Sequence, residues 1–495
     1  MFDNIILGLN TALSVNNLLY CFLGVFLGTV IGVIPGLGSL TAIAMLLPLT
    51  FYLDPTTALI MLAGIWYGTS YGGSTASILL NIPGTPATAV TCIDGYPLAR
   101  KGRGAMALFM TAVASFVGGS VGILLLMLFA PAIAAYALRF GSAEYFGLML
   151  LGLVAASSIA EGSAVRAYAM VVLGIMFGCV GADVATGTPR FSFGVLELSG
   201  SISLVALAMG IFGIAEIISS INKTDAHRID RSQLTFRAMK PTREELRRSW
   251  LPMVRGSSIG SFFGTLPGTC PAVAAFLAYA VEKRVSKHPD QFGKGAVEGI
   301  MGPESANNAG EQTAFIPTLS LGIPGSPTMA LMLGALMIHG IAPGPSLVTD
   351  QPEMFWGLVM SFWIGNLMLI ILNVPLIGLW VRLLTLPYHL LFPSVLVFIC
   401  IGTYSVNNSS FEIWLVAFFG FLGYLMRKFG FPAAPLLLGF VLGPMMEEHF
   451  RRAMLLGRGD PMVFVERPIS ATVMTLTAVA VLWGLYGSIR QKKAG

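Results

Sequence analysis

The stretch GPESANNAGEQTAF, residues 302–315, sets two acids and three amides in an otherwise apolar part of the chain. Glu304, Asn307, Asn308, Glu311 and Thr313 carry oxygen atoms, the ligand type that hard cations such as Na⁺ prefer. An acid at membrane depth is a functional candidate by default, because burying its charge is costly. Glu311 lies deepest in the apolar context, where a carboxyl can hold a proton in place of a charge. Glu304 follows Pro303, and an acid in a first helical turn, favoured by the helix dipole, is the plainer alternative for it. Glu298, nearest a basic loop, reads as interfacial. A neutral polar set, Ser70, Ser74, Thr75 and Asn81, recurs in the first half of the chain. For any one of these residues ordinary interhelical hydrogen bonding is the alternative. The chemistry is that of a bound Na⁺ or a carried H⁺, without an organic cofactor.

A second set of residues points to an anion. NIPGTPATA (Asn81–Ala89) and GIPGSPTMA (Gly322–Ala330) share Ile-Pro-Gly-(Thr/Ser)-Pro-x-x-Ala, and Pro83 and Pro324 stand 241 residues apart. Thr85 before Pro86, and Ser326 before Pro327, read as a helix N-cap followed by a first-turn proline. PGLGSLTA, beginning Pro35, Gly36, and PGTCPAV, beginning Pro267, Gly268, read as two further starts. Their caps fall near Ser39, after Gly38, and near Thr269 or Cys270. Four helix N-termini inside the membrane would offer free N–H groups and positive dipole ends, an anion site without basic side chains. The candidate contacts are Pro35, Gly36, Gly38, Ser39, Asn81, Pro83, Gly84, Thr85, Pro267, Gly268, Thr269, Pro324, Gly325 and Ser326. Kinks that serve packing alone are the alternative.

The elements that must position these residues are membrane helices. Mean hydropathy is +0.78, 55% of residues are hydrophobic and 11% are charged, against roughly 25% charged in a soluble domain. Apolar runs recur along the chain, and at roughly 20 residues per span they amount to about 12 crossings plus partial ones. Irregular backbone at that depth survives only if buried in protein or lining a polar cavity. The N-terminal MFDNIILGLN lacks the basic and small-residue features of a cleaved signal peptide. The five cysteines are scattered through apolar stretches without metal spacing. The sequence therefore reads as an all-α polytopic membrane protein with broken or re-entrant helices.

Three motif pairs recur in the same order. GVIPGLGSLTAIA (Gly32–Ala44) parallels GTLPGTCPAVAAF (Gly264–Phe276), GGSTASIL (Gly72–Leu79) parallels GEQTAFIP (Gly310–Pro317), and the two IPG motifs follow. The chain divides into a first repeat (1–221), a basic linker (222–255), a second repeat (256–467), and a last helix with a basic tail (468–495). Lys- and Arg-rich loops lie in the cytoplasm. DGYPLARKGRG follows the first IPG motif, while its counterpart HGIAPGPSLVTD has no Lys or Arg. The loops FYLDPTT and EKRVSKHPDQFGKG show the opposite bias. Equivalent loops thus fall on opposite faces, the pattern of an inverted repeat and of many secondary transporters.

At these motifs the chain resembles the large membrane subunit of tripartite tricarboxylate transporters, the TctA type. The residues carrying the resemblance are GVIPGLGSLTAIAMLLPLTF (Gly32–Phe51), YGGSTASILLNIPGTPA (Tyr71–Ala87), GPESANNAGEQTAFIPTLSLGIPGSPTMALML (Gly302–Leu333) and VLGPMMEEHFRRAM (Val441–Met454). The resemblance implies a carboxylate substrate, citrate being the family's name-giving one. It implies uptake driven by an ion gradient at the bacterial inner membrane. It also implies two partners, a small four-helix membrane subunit (TctB type) and a periplasmic solute-binding protein (TctC type). No GxxxxGK[ST] phosphate loop occurs, which agrees with a gradient as the driving force. The apolar segments around the motifs contain no Arg or Lys to neutralise three charges. Helix dipoles and co-bound cations then have to suffice, or the substrate is a mono- or dicarboxylate.

Three rivals stand beside a secondary active transporter. A channel also uses broken helices but needs a continuous pore. An intramembrane enzyme needs a nucleophile–base pair or metal ligands, and neither HExxH nor GxSxG occurs. A scaffolding subunit gains nothing from polar backbone at membrane depth.

Overall fold

The computed structural model describes residues 2–34, 37–159, 163–183, 186–220, 236–266, 269, 271–384 and 388–494. The chain is an all-α polytopic membrane protein whose described strands are a single two-residue pair. The first half opens with α1 (Phe2–Ala12), α2 (Val15–Val33), α3 (Gly38–Thr50), α4 (Pro55–Leu80) and α5 (Ala89–Leu98). Ser14 caps α2 by accepting from the Asn17 N–H, and Asp54 caps α4 by accepting from the Thr56 N–H, with Pro55 in the first turn. A π-helical turn leads into α6 (Gly104–Ala137), followed by α7 (Ser142–Ile159) and α8 (Ala164–Gly178). Strands β1 (Gly181–Ala182) and β2 (Pro189–Arg190) then pair antiparallel, Gly181 opposite Arg190. Helix α9 (Leu204–Ala208) runs through a second π-helical segment into α10 (Ala215–Ser220).

The second half repeats the opening pattern. Helix α11 (Arg243–Gly264) starts at a capping box between Thr242 and Glu245. Helices α12 (Pro271–Val285), α13 (Glu298–Thr313), α14 (Phe315–Leu321) and α15 (Pro327–Ile338) follow. Then come α16 (Pro345–Asp350), α17 (Pro352–Asn373), α18 (Ile377–Leu383), α19 (Tyr388–Asn407), α20 (Ser410–Phe429), α21 (Ala433–Leu456) and α22 (Pro468–Ala494).

By length and composition, four helical stretches among the described residues are able to cross a membrane: Val15–Val33, Ala89–Ala137, Pro352–Asn373 and Ser410–Phe429. Seven further apolar helical stretches among the described residues accompany them. The sequence reading counts about 12 crossings at roughly 20 residues each. Helices α4 and α13, which are rich in polar residues, fall in neither set.

Those two polar helices form the centre. Every residue of α13 is buried, and so is nearly all of α4. A helix polar on all sides is stable there only because neighbouring helices surround it and satisfy its side chains. Close approach is built from small residues. A Cβ on Gly28 of α2 would overlap the Ile65 carbonyl oxygen of α4, and one on Gly260 of α11 would overlap the Ala306 carbonyl oxygen of α13. Gly24, Gly28 and Gly32 stand 232 residues before Gly256, Gly260 and Gly264, and both triplets abut backbone of the next long helix. The same seam therefore occurs in both halves. An aromatic cluster of Trp66, Tyr67, Phe315 and Phe362 locks α4, α14 and α17 together.

Candidate functional site

In each half the helix before the first PG motif meets a broken helix. Helix α4 ends at Asn81 in the left-handed conformation (φ 59°), and α14 ends at Gly322, also left-handed (φ 69°). These two positions are equivalent in the IPG motifs, and a left-handed residue stops a helix sharply. Beyond them the chain crosses the motif and starts again as α5 or α15. Gly84 lies in the first motif, and a Cβ there would strike Gly73 of α4 and the Gly32 carbonyl oxygen of α2. Gly38, at the start of α3, lies 4.0 Å from the Gly84 carbonyl oxygen measured from its would-be Cβ. In the second motif Gly325 faces the carbonyl oxygens of Gly264 and Leu266 at 3.7 and 3.6 Å by the same measure. So α2 and the start of α3 sit against the first IPG motif, and the end of α11 sits against the second.

The caps differ from the sequence expectation in three places. Ser326 is the N-cap of α15, accepting from the Met329 N–H at 3.3 Å, with Pro327 next. Thr85 is not the cap of its helix. It closes a turn by accepting from the Thr88 N–H at 3.3 Å, and α5 begins at Ala89 with Thr88 at the cap. The Thr85–Thr88 turn tightens the approach and moves the start by three residues. Ser39 lies inside α3, whose cap is Leu37, and its hydroxyl accepts from Thr69 at 2.7 Å. Thr269 donates backward to the carbonyl oxygens of Phe263 and Leu266, closing the end of α11. Pro35, Gly36, Pro267 and Gly268 lie outside the described residues, as does Cys270. The motifs also differ in burial: Asn81 and Pro83 are exposed, whereas Pro324, Gly325 and Ser326 are buried.

Between the halves lies a buried polar cluster. The Glu304 carboxylate accepts from the hydroxyls of Ser74 (2.7 Å, α4), Thr91 (2.7 Å, α5) and Ser115 (3.2 Å, α6). Glu311 accepts from the Ser70 hydroxyl with one oxygen, and its other oxygen has no partner. Asn307 has both amide atoms unpartnered, and so is the amide oxygen of Gln312. Glu304, Asn307, Glu311 and Gln312 are all at most 3% exposed. Asn308 and Thr313 donate to carbonyls of their own helix, at 3.0 Å to Glu304 and 3.0 Å to Ala309. Thr75 lines a small pocket with Tyr71, Ser74, Thr111 and Ser115, roomy enough for about one water. A buried carboxylate is costly unless it is paired, protonated or bound to a cation. Glu304 has three hydroxyl donors, while the bare oxygen of Glu311 leaves room for a proton or a cation.

Thr91, Ser115 and Asp94 were not singled out by sequence. Thr91 and Ser115 stand alone in apolar helices, and nothing local distinguishes them. Asp94 carried a usable signal, an acid in an apolar context just past the motif. It is fully buried and accepts from the Tyr279 hydroxyl (2.9 Å) and the N–H groups of Gly295 and Ala296 (2.7 and 2.8 Å). It thereby ties α5 of one half to α12 and the following loop of the other. Beside it, Glu298 pairs with Arg248 (2.8 Å), Glu282 with Arg255 (2.6 Å) and Glu245 with Arg103 (2.6 Å). For Glu245, in the linker, burial pushes the carboxyl up, but hydrogen bonds from Thr242 and Arg103 outweigh it and hold the group below its ordinary value.

Comparison with known proteins agrees with this architecture. The tripartite tricarboxylate transporter TctA family matches residues 18–438. The chain is 50% identical over 495 residues to an Agrobacterium vitis protein described as an uncharacterized 52.8 kDa protein in the TAR-I ttuC' 3' region, covering 100% of this chain and 98% of the relative. It is 55% identical over 234 residues to an uncharacterized protein in the TAR-II ttuC' 3' region of the same organism, covering 47% of this chain and 97% of that one. No solved structure matches the chain.

Proposed function

From the premise that this chain belongs to the tripartite tricarboxylate transporter TctA family, we propose that it carries out cation-coupled uptake of a tricarboxylate such as citrate, or of a related carboxylate. The family is one of transporters, not enzymes, and its tripartite systems in general work with TctB and TctC subunits. In this reading the chain is the large subunit in the bacterial inner membrane. A small four-helix membrane subunit stands beside it, and a periplasmic solute-binding protein delivers the substrate.

One observation carries the reading: two equivalent broken helices, each packed against the helix before a PG motif, flank a buried cluster with two carboxylates and, among the described residues, no basic side chain in hydrogen-bonding contact. The carboxylate substrate sits against the helix starts after the PG motifs, held by N–H groups and dipoles. Na⁺ or H⁺ occupies the oxygen-rich cluster at Glu304, Asn307 and Glu311, with Ser74 and Thr75 beside it. The halves form an inverted repeat. The basic residues Arg100, Lys101 and Arg103 follow α5, and Lys283 and Arg284 end α12, whereas residues 51–54 after α3 and 339–350 after α15 have no Lys or Arg. The positive-inside rule then puts the ends of α5 and α12 in the cytoplasm and those of α3 and α15 outside. Alternating access follows from movement of one motif-bearing unit against the less broken helices.

The test is uptake of radiolabelled citrate by proteoliposomes holding all three components, under an inward Na⁺ gradient, a proton gradient, or neither. Accumulation above equilibrium with one gradient supports the reading and names the ion. Equilibration without accumulation refutes it in favour of a channel.

A further inference from the structure

A second cavity, of about 530 Å³, lies at the far ends of the motif-bearing helices, between Phe51 after α3 and Met337 and Ile338 at the end of α15. Its volume falls in the range of roughly 300–1,000 Å³ typical of small-molecule sites. Arg190 of β2, Cys179 at the end of α8 and Asn407 of α19 supply polar groups to a mainly apolar lining.

Arg190 holds Glu447 of α21 with both terminal nitrogens, at 2.7 and 3.0 Å, and meets Asp183 at 3.1 Å. Arg451 shares the same two carboxylates, at 2.8 Å to Asp183 and 2.6 Å to Glu447. Two cations thus face two anions, and the Nε–H of Arg190 is buried without a partner. A guanidinium pairs bidentately with any carboxylate, so Glu447 stands where a free carboxylate would bind. Phe51, Met337 and Ile338 of the cavity adjoin residues 51–54 and 339–350, which have no Lys or Arg, and this argues for the outer face.

We propose that this cavity is an outer carboxylate-binding site. An arriving carboxylate takes Arg190 from Glu447, is held there, and then moves inward along α3 and α15 to the motif tips. No covalent chemistry is involved, only exchange of one carboxylate for another on a guanidinium. The inference rests on the reading of the chain as a carboxylate transporter, but it concerns a site distant from the helix starts.

Cys179 provides the test, since it lines the cavity and lies 3.7 Å from Glu447. In right-side-out vesicles holding the complete transporter, a membrane-impermeant maleimide is applied with and without citrate, or with whichever carboxylate the uptake assay shows to be carried. The label lost in Cys179→Ser measures labelling at this residue. The expected result is labelling from outside that the carboxylate suppresses. Arg190→Gln should raise the protecting concentration and the uptake KM at least tenfold. Glu447→Gln should lower the protecting concentration, because Arg190 loses its internal competitor. Glu447→Gln also keeps the test sound if Arg190→Gln fails to fold. Labelling unaffected by a carboxylate that the same vesicles accumulate would overturn the outer site and leave the transport reading intact. Labelling only after permeabilisation would overturn its placement. Protection unchanged in both variants would overturn the role of Arg190.

Discussion

Glu304→Gln separates a coupling role for this residue from a structural one. The Ser74 and Thr91 hydroxyls both donate to the same carboxylate oxygen, while Ser115 donates to the other at 3.2 Å. A glutamine whose amide oxygen takes the first position keeps two of the three hydrogen bonds. Its amide nitrogen then faces the Ser115 hydroxyl, which can turn and accept. The substitution is therefore nearly isosteric and removes little but the charge. Glu304→Ala, by contrast, strands three buried hydroxyls at about 1–3 kcal/mol each, less where a hydroxyl falls back on its own helix as Ser74 does with the Ser70 carbonyl. If the Glu304 charge holds a coupling cation, removing it costs what breaking a buried ion pair costs, about 3–5 kcal/mol. At about 1.4 kcal/mol per decade, cation affinity should fall by about 10²–10³-fold or more. The assay is gradient-driven uptake in proteoliposomes, titrated against Na⁺ and then pH, with expression and thermal midpoint as controls. The expected result is a well-folded Glu304→Gln variant that no longer accumulates substrate. Normal accumulation with an unchanged cation dependence would refute the argument and leave Glu304 as a hydrogen-bonding strut between α4, α5 and α6.

Three further outcomes follow from the geometry. Ser326→Ala removes the cap on a buried Met329 N–H, which should cost about 1–3 kcal/mol and raise the uptake KM; Thr85→Ala, which breaks only a turn before α5, should act more weakly in a parallel assay. Gly28→Val and Gly260→Val each drive a side chain into a facing carbonyl of the paired seams, so both should destabilise by at least roughly 3 kcal/mol and lower the thermal midpoint alike; tolerance of either would sink the idea of equivalent seams. Single cysteines at Arg103 and at Ser346 should react with impermeant maleimide from opposite faces, and labelling from one face would end the inverted repeat.

What the sequence made legible was the pattern, and what it concealed was contact. The motif pairs and their steps were visible because Pro and Gly punctuate the chain, and the matching left-handed ends at Asn81 and Gly322 fall where the IPG alignment puts them. Caps were harder to read. Thr85 and Ser326 occupy the same place in the motif, yet only Ser326 starts a helix, because Thr88 offers a second hydroxyl that closes a turn first. Ser39 was drawn off by a partner outside its motif, the Thr69 hydroxyl, and Thr269 by the local carbonyls that end α11. Of the three partners of Glu304, Ser74 was among the sequence candidates, but the other two were out of reach. Thr91 and Ser115 gain meaning only when α5 and α6 pack against α13, and no spacing in the sequence encodes that meeting.

The charge at the centre constrains the transport stoichiometry. Glu304 and Glu311 lie on one buried helix and make their hydrogen bonds to hydroxyls rather than to basic groups. At an effective dielectric of about 20, two unit charges about 10 Å apart repel by roughly 1.7 kcal/mol. A trivalent anion facing two ionised carboxylates meets six such pairs, on the order of 10 kcal/mol. Four helix starts, at about 0.3–1 kcal/mol each and up to about 2 when partly buried, do not offset that sum. If a tricarboxylate is the substrate and binds at about that distance, the carboxylates must be neutralised, by protons or by bound cations, before it is held. More than one cation should then enter with each substrate, and the reversal potential of uptake should shift with the cation gradient by more than one equivalent per substrate. A measured ratio of one would mean that one of the two acids stays protonated throughout the cycle, and Glu311, with its unpartnered oxygen, is the one placed to do so.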